Sequence, residues 1–307
     1  MSTNSNEDVM EVMRAEISEK EKNVYISNKL AQSRLPDKTN EVTNLTYNLD
    51  VYQQKIILML ISQVMKEDLE FKPVTISYYQ LCKLMDIPAG GKTYDKLWES
   101  IKKLASATFE IDGFHYNNRN QKKRMQAIFH WVKEAYNFPD ENLVRLQLDD
   151  SMKPLILNLD ENSKYTIYQL GCGLALKKKW SNPLYMLLKS HQGHRQIKFK
   201  IETLRAKILG DSKMYNLDRD FMRRVIEPSV EEINICTDIH VSYNVETKER
   251  KNGGWNQISA IEFNIVPKTK DEFLEIKRKI WGYSEEDIKS VEETLKKRKL
   301  IEKEKNK

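Results

Sequence analysis

The sequence predicts an α+β protein of two tandem winged-helix domains followed by a helical C-terminal tail, and three observations lead there. First, 307 residues with 31% charged and 40% apolar side chains and a mean hydropathy of −0.66 describe a very polar globular chain. It has room for two modest cores. Second, the order helix, strand, helix, turn, helix, β-hairpin reads off residues 49–132 and recurs over residues 165–266, as a pattern without residue identity between the halves. Third, bases gather on both hairpins. The expected organisation is an N-terminal arm (1–40), a first winged-helix domain (41–150), a second (151–267) and a charged helical tail (268–307).

Within the arm, Val9, Val12, Met13 and Ile17 recur at helical spacing among acids, which fits a short amphipathic helix or a frayed tail equally. Asp50 as N-cap, with Gln53 three residues on, opens an apolar helix through Ile56, Ile57, Leu60, Ile61 and Val64. A strand over 73–77 follows, then a helix over 78–85 capped by Ser77, a turn over 87–91 and a helix over 92–104. Strands over 107–111 and 125–132 flank a polar turn at 117–120. In the second half, 165–176 and 183–190 read as helices, 196–200 as a strand, and 201–209 as a helix stopped by Gly210. A longer helix spans 218–234, and strands over 239–245 and 257–266 flank the turn Lys251-Asn252-Gly253-Gly254. The tail runs through Phe273, Ile276, Ile280, Ile288, Val291 and Leu295 to a Lys- and Glu-rich end expected to be solvated.

Composition excludes several function classes. Ten glycines and eight prolines are about half the average share, which rules out collagen-like and linker-like chains. Scarce glycine also disfavours folds that wrap nucleotide phosphates. Gly90-Gly91-Lys92-Thr93 imitates the end of a P-loop, but Asp86 stands where that motif needs glycine and 81–85 is helical rather than a strand. A turn between two helices is the better reading. His191-Gln192-Gly193-His194 lacks a third ligand in metal-binding register. There is no pair of histidines flanking one apolar residue, as tyrosine-dependent DNA nicking would want, and no G-x-S-x-G elbow or paired acidic cluster. The chain reads as non-catalytic, with no cofactor and no metal. Cys82, Cys172 and Cys236 are far apart and fit core thiols in a reducing cytoplasm. No signal peptide or membrane span is indicated, so a soluble cytoplasmic protein is expected.

The net charge of +6 matters less than its placement. Residues 1–22 hold six acids and three bases, whereas 113–133 hold five bases and no acid, interleaved with Phe114, His115, Tyr116 and Trp131. Arg119, Lys122, Lys123 and Arg124 sit on this first hairpin; Lys248, Arg250 and Lys251 sit on the second, diluted by Glu246 and Glu249. A charged hairpin tip alone is only a solvated edge; two, each after a helix-turn-helix pattern, favour DNA. On the helix 92–104, Leu97, Ile101 and Leu104 form the buried stripe and leave Thr93, Lys96, Ser100 and Lys103 outward, with Lys92 at the N-terminus. The helix 218–234 buries Phe221, Val225 and Ile233 and presents Arg219, Arg223 and Arg224 on its N-terminal half, with Lys213 just before it. Recognition helices touch base edges there, and arginine reads guanine O6 and N7 in bidentate fashion. Ion pairing of these arginines with Asp220, Glu227 or Glu231 is the rival reading.

The stretch Phe221-Met222-Arg223-Arg224-Val225-Ile226-Glu227-Pro228-Ser229-Val230-Glu231-Glu232-Ile233-Asn234, followed by Thr237-Asp238-Ile239-His240-Val241-Ser242-Tyr243, resembles the signature of the initiator replication (Rep) proteins of iteron-containing, theta-replicating plasmids. Val24-Tyr25-Ile26-Ser27-Asn28-Lys29-Leu30 and Leu184-Tyr185-Met186-Leu187-Leu188-Lys189 agree with it, so the likeness spans roughly 24–267. The resemblance implies two winged-helix domains related by pseudo-symmetry, with the second binding iterons. It implies monomers on direct repeats, dimers on an inverted operator repeat that repress their own gene, origin melting, and recruitment of the host initiator and replicative helicase. The recognition helix with Arg223 and Arg224 and the wing around Lys248–Lys251 carry over by residue; the first domain's helix 92–104 and hairpin 113–126 match only by order of elements. A winged-helix transcription regulator and, less well, a rolling-circle nicking initiator remain alternatives.

Overall fold

The computed structural model describes residues 19–27, 35–36, 40–46, 49–65, 68–116, 121–157, 165–210, 214–249 and 257–289; within these, the side chains of 27, 35–36, 40–46, 110–116, 122, 125 and 154 are left undescribed. The amphipathic stretch 7–18, Lys213, Arg119, Arg250, Lys251, both hairpin tips and the tail beyond 289 lie outside the described residues.

The first unit is built on α1 (Val51–Ser62). Asp50 and Gln53 form a reciprocal capping box, which satisfies two of the N–H groups orphaned at a helix start. All residues from Gln53 to Ser62 are buried, because α1 is covered by β1 (Asn23–Ser27), by the helix Gly91–Ser106 and by the later short helix Leu170–Ala175. β4 (Val74–Ser77) leads into α2 (Tyr78–Met85), capped by Ser77 with Gln80. Asp86 then takes the left-handed conformation (φ 53°) that ends α2, and Gly90 precedes α3 (Gly91–Ser106). Helices on both sides of Gly90-Gly91 leave no strand from which a P-loop could start.

Beyond α3 the strand pairing departs from expectation. β5 (Thr108–Tyr116) and β6 (Lys122–His130) do form the expected hairpin, but it belongs to a separate four-stranded sheet in the order β2-β3-β5-β6, with β2 (Leu35–Pro36) and β3 (Asn40–Thr46). A second hairpin, β7 (Val132–Phe138) and β8 (Leu143–Leu148), joins β4 in the order β4-β8-β7. It turns through a short 3₁₀ segment, Pro139–Glu141. Phe109 stacks on Phe129 and meets Trp131 at 4.9 Å, which anchors the inserted hairpin to the core.

A short helix α4 (Lys153–Ile156) leads to β9 (Tyr165–Gln169), which pairs antiparallel with β1. Tyr165–Gln169 is thus a strand, not the start of a helix: it is rich in aromatic and β-branched residues and buries alternate side chains, Thr166 and Tyr168. Only Leu170–Ala175 is helical (α5). β1 also corrects the extent of the arm, since Asn23–Ser27 are built into the body.

The second unit repeats the first: α6 (Ser181–Ser190), β10 (Gln196–Lys200), α7 (Ile201–Leu209), α8 (Asp218–Phe221), a π-helical turn (Met222–Ile226), α9 (Glu227–Cys236), then β11 (Ile239–Lys248) and β12 (Gln257–Pro267) in the sheet order β10-β12-β11. In both units the strand after the first helix pairs with the second strand of a hairpin, β4 with β8 and β10 with β12. The pseudo-symmetric partner of the β11–β12 wing is therefore β7–β8, and the 113–126 hairpin is an insertion.

Past β12, α10 (Lys270–Lys279), capped by Thr269 with Glu272, returns to the start of the described chain. Lys277 pairs with Glu21 at 2.9 Å, both side chains about a tenth exposed, and its ammonium lies over the Phe273 and Trp281 rings. Trp281 packs so closely on Gly171 that an added Cβ would come within 2.6 Å of its indole. This strap ties the end of the second unit to α5 and the N-terminal segment.

Candidate nucleic-acid interface

In the second unit, α8, the π-turn and α9 form one continuous recognition helix, seated from both ends. Arg205 of α7 pairs with Asp218 at 2.6 Å and covers the buried Phe221 ring. At the other end the Asn234 side chain donates to the Val241 carbonyl (2.9 Å) and accepts from the Val241 N–H (2.6 Å), fixing β11 against the helix. Phe221, Val225 and Ile233 are fully buried, as the periodicity predicts. Arg219, Arg223 and Arg224 are exposed. Arg223 and Arg224 both approach Asp220, at 3.5 and 4.0 Å, with 59% and 57% of their side chains exposed. The pairing expected as a rival thus exists with Asp220. At that exposure and distance it contributes little stability and leaves both guanidinium forks able to reach outward. Glu231 instead lies 3.5 Å from Lys178. Lys248 closes the described part of β11 and is exposed.

In the first unit, Leu97, Ile101 and Leu104 are buried as expected, and Lys92, Lys96 and Lys103 stand exposed with Thr93 half-buried. Ser100 is a correction: it is buried at 8% exposure, because the helix α3 packs on α1 over a wider face than three positions. Lys123 and Arg124 are exposed on β6, opposite His115 and Phe114 in register, so they sit on the inserted sheet and not beside α3 on the wing. The wing that does match by topology bears exposed Asp140 and Glu141 at its turn. Sequence reasoning missed it, although Val144, Leu146 and Leu148 alternate with Arg145 and Gln147 in the manner of a half-buried strand.

Between the units, Glu232 of α9 accepts the backbone N–H groups of Lys177 (2.9 Å) and Lys178 (3.0 Å), and Lys177 bridges to Asp86 of the first unit at 2.8 Å. The Lys177 hydrogen bond holds the Asp86 carboxyl below its usual range and raises the Lys177 ammonium. Lys55 of α1 is buried here, 3.4 Å from the Met85 carbonyl; burial, and then the Lys177 charge, push its ammonium down to about 8. His191 and His194 stand with ring centroids 6.3 Å apart, and among the described residues no group of three His, Cys, Asp or Glu could hold a metal. No helix among them is long and apolar enough to cross a membrane.

Comparison with known proteins bears on this architecture. Residues 36–189 match the family model "Initiator Replication protein, WH1", and residues 200–265 match "Initiator Rep protein, WH2". A curated relative, the PI protein of Escherichia coli, is 24% identical over 266 residues, covering 76% of this chain and 83% of its own. Two crystal structures of RctB domains 2 and 3 are 12% and 11% identical, with TM-scores of 0.46 and 0.43; the matches cover 82% and 81% of this chain and 93% and 99% of theirs. With both winged-helix models matched over most of its length, this chain belongs to the initiator replication (Rep) protein family, the plasmid replication initiators with tandem winged-helix DNA-binding domains.

Proposed function

We propose that the protein starts plasmid replication by binding directly repeated double-stranded DNA, the iterons of its origin, as a monomer through both helix-turn-helix units. The observation that carries this reading is the pair Arg223 and Arg224, exposed side by side on the N-terminal half of the second recognition helix. A guanidinium fork matches the O6/N7 edge of guanine in the major groove. Arg219, Lys213, Lys248, Arg250 and Lys251 serve the same duplex, through base edges from the helix and phosphates from the wing. Lys92, Thr93, Lys96 and Lys103 of α3 contact backbone about one helical turn away, since a lysine ammonium suits phosphate as a point charge. Arg119, Lys122, Lys123 and Arg124 add phosphate contacts from the inserted hairpin.

Further steps belong to the same reading: melting of the adjacent AT-rich DNA, recruitment of the host initiator and replicative helicase, and repression of the protein's own gene by a dimer on an inverted repeat. The dimer is supported by β6, which among the described residues pairs on one edge only, with β5, and carries Ile128 at 65% exposure.

The test is a mobility shift on the DNA flanking the gene. Direct repeats of roughly two helical turns should be bound in preference to scrambled DNA, and affinity should fall by about 10³–10⁵ between about 50 and 200 mM salt if six to ten phosphates are contacted. A flat salt response, binding confined to one palindrome, or a Mg²⁺- or Mn²⁺-dependent nick would contradict it.

A further inference from the structure

The recognition helix of the second unit is not a regular α-helix. Across Met222–Ile226 it widens into a π-turn, and the Glu227 N–H donates to the Met222 carbonyl, five residues back, where an α-helix would use Arg223. Pro228 follows at once, in the first turn of α9. Inside a helix a proline has no N–H for the carbonyl four residues before it, here that of Arg224, and its ring crowds that carbonyl. A π-turn inserts one residue and relieves the crowding.

The insertion also sets where side chains point. Phe221, Val225, Ser229 and Ile233 are all buried, one every four residues. A regular helix at 3.6 residues per turn would swing such a series off the core by about 40° per step. The wider turn takes up that drift, so the N-terminal half keeps its core face while Arg223 and Arg224 remain outward together. Asp220 lies between the two guanidinium groups and holds these like charges side by side without DNA. From the far side, Lys178 donates to the Pro228 carbonyl at 2.9 Å, anchoring the helix just past the π-turn.

We propose that Pro228 and the π-turn it imposes are positioning elements for sequence recognition: they pre-set Arg223 and Arg224 as a double fork for neighbouring guanine-bearing base pairs. The inference rests on the reading of this helix as the base-contacting one.

Full-length Pro228→Ala, assayed by mobility shift on origin repeats and on scrambled DNA and by thermal unfolding, tests it. Alanine lets the helix return to α register, so Tm should be unchanged or higher, scrambled-DNA affinity should stay within twofold, and origin affinity should fall at least tenfold. Origin affinity within twofold of the parent overturns the inference. The Arg223→Ala/Arg224→Ala variant separates the two readings. If it binds the origin as well as the parent does, the helix does not contact bases and both readings fall. If it loses discrimination while Pro228→Ala keeps it, only the role of the π-turn falls. Should Pro228→Ala unfold, Asp220→Asn, on a partly buried side chain, tests the pre-setting of the pair: the ratio of origin to scrambled affinity should drop about threefold or more, and an unchanged ratio overturns the proposed pre-set double fork.

Discussion

The two winged-helix units share a strand topology and differ in the chemistry they display. In the first, α3 is an uninterrupted helix of 16 residues carrying exposed Lys92, Lys96 and Lys103, and the matching wing turns through Asp140 and Glu141. In the second, the corresponding helix widens into a π-turn, carries exposed Arg219, Arg223 and Arg224, and is followed by a wing whose described strand ends on exposed Lys248. Topology therefore does not distinguish the two units; side-chain type and placement do. We read the second unit as the one that discriminates sequence and the first as the one that anchors on backbone, because a guanidinium fork fits a base edge and an ammonium fits a phosphate.

Cutting the strap that ties the second unit to the N-terminal segment should give the largest effect on the fold. Lys277→Ala leaves Glu21 buried without its ammonium, and loss of one member of a buried pair costs about 3 kcal/mol. Chemical denaturation should show that loss; unchanged stability would mean that the strap does not fix the units together.

A smaller effect is expected where the units meet. Burial lowers the Lys55 ammonium to about 8 from 10.5. Below about pH 8 it is charged in both folded and unfolded chains and the fold bears the full cost of burying it. As pH rises from 8 to 10.5 the folded chain releases the proton first, and the cost fades. Lys55→Met should then gain roughly 1–3 kcal/mol at neutral pH, at about 1.4 kcal/mol per pKa unit, and the gain should shrink toward pH 10.5. Urea titrations at pH 7 and pH 9.5 check this; a gain independent of pH would show that Lys55 does not titrate in this range.

The smallest effect is predicted at the first wing. Asp140→Asn/Glu141→Gln should change scrambled-DNA affinity by less than about twofold at about 0.15 M salt, where exposed charges beyond roughly 8 Å are screened. A tenfold gain in filter binding would place that wing on the phosphate backbone.

How much of this could be read from the sequence depended on how local the determining signal was. The Asp50–Gln53 cap, the Ser77 cap and the stripe of Leu97, Ile101 and Leu104 are fixed within a turn or two of chain, and all appear where the spacing puts them. The wing of the first unit depends on β4 finding β8, some seventy residues away, and nothing local chooses β7–β8 over the basic β5–β6 hairpin. Tyr165–Gln169 is a strand because β1 is there to pair with it; its alternation was the available signal. Pro228 lies inside the stretch 218–234 that reads as one helix, and only the backbone shows that the chain answers it with a π-turn. The arginines were legible as a cluster with Asp220 among three candidate partners; that both turn to this one carboxylate and stay more than half exposed was not.

The division of labour between the units is tested most directly by measuring affinity for origin repeats and for scrambled DNA, across a salt titration, with two double variants of the full chain. Lys92→Ala/Lys96→Ala should weaken both DNAs by the same factor and flatten the salt slope by about two. Arg223→Ala/Arg224→Ala should lose about 1–3 kcal/mol per residue on the origin, and much less on scrambled DNA, so that discrimination collapses. Equal losses on both DNAs for the arginine pair, or a collapse of discrimination for the lysine pair, would contradict the account.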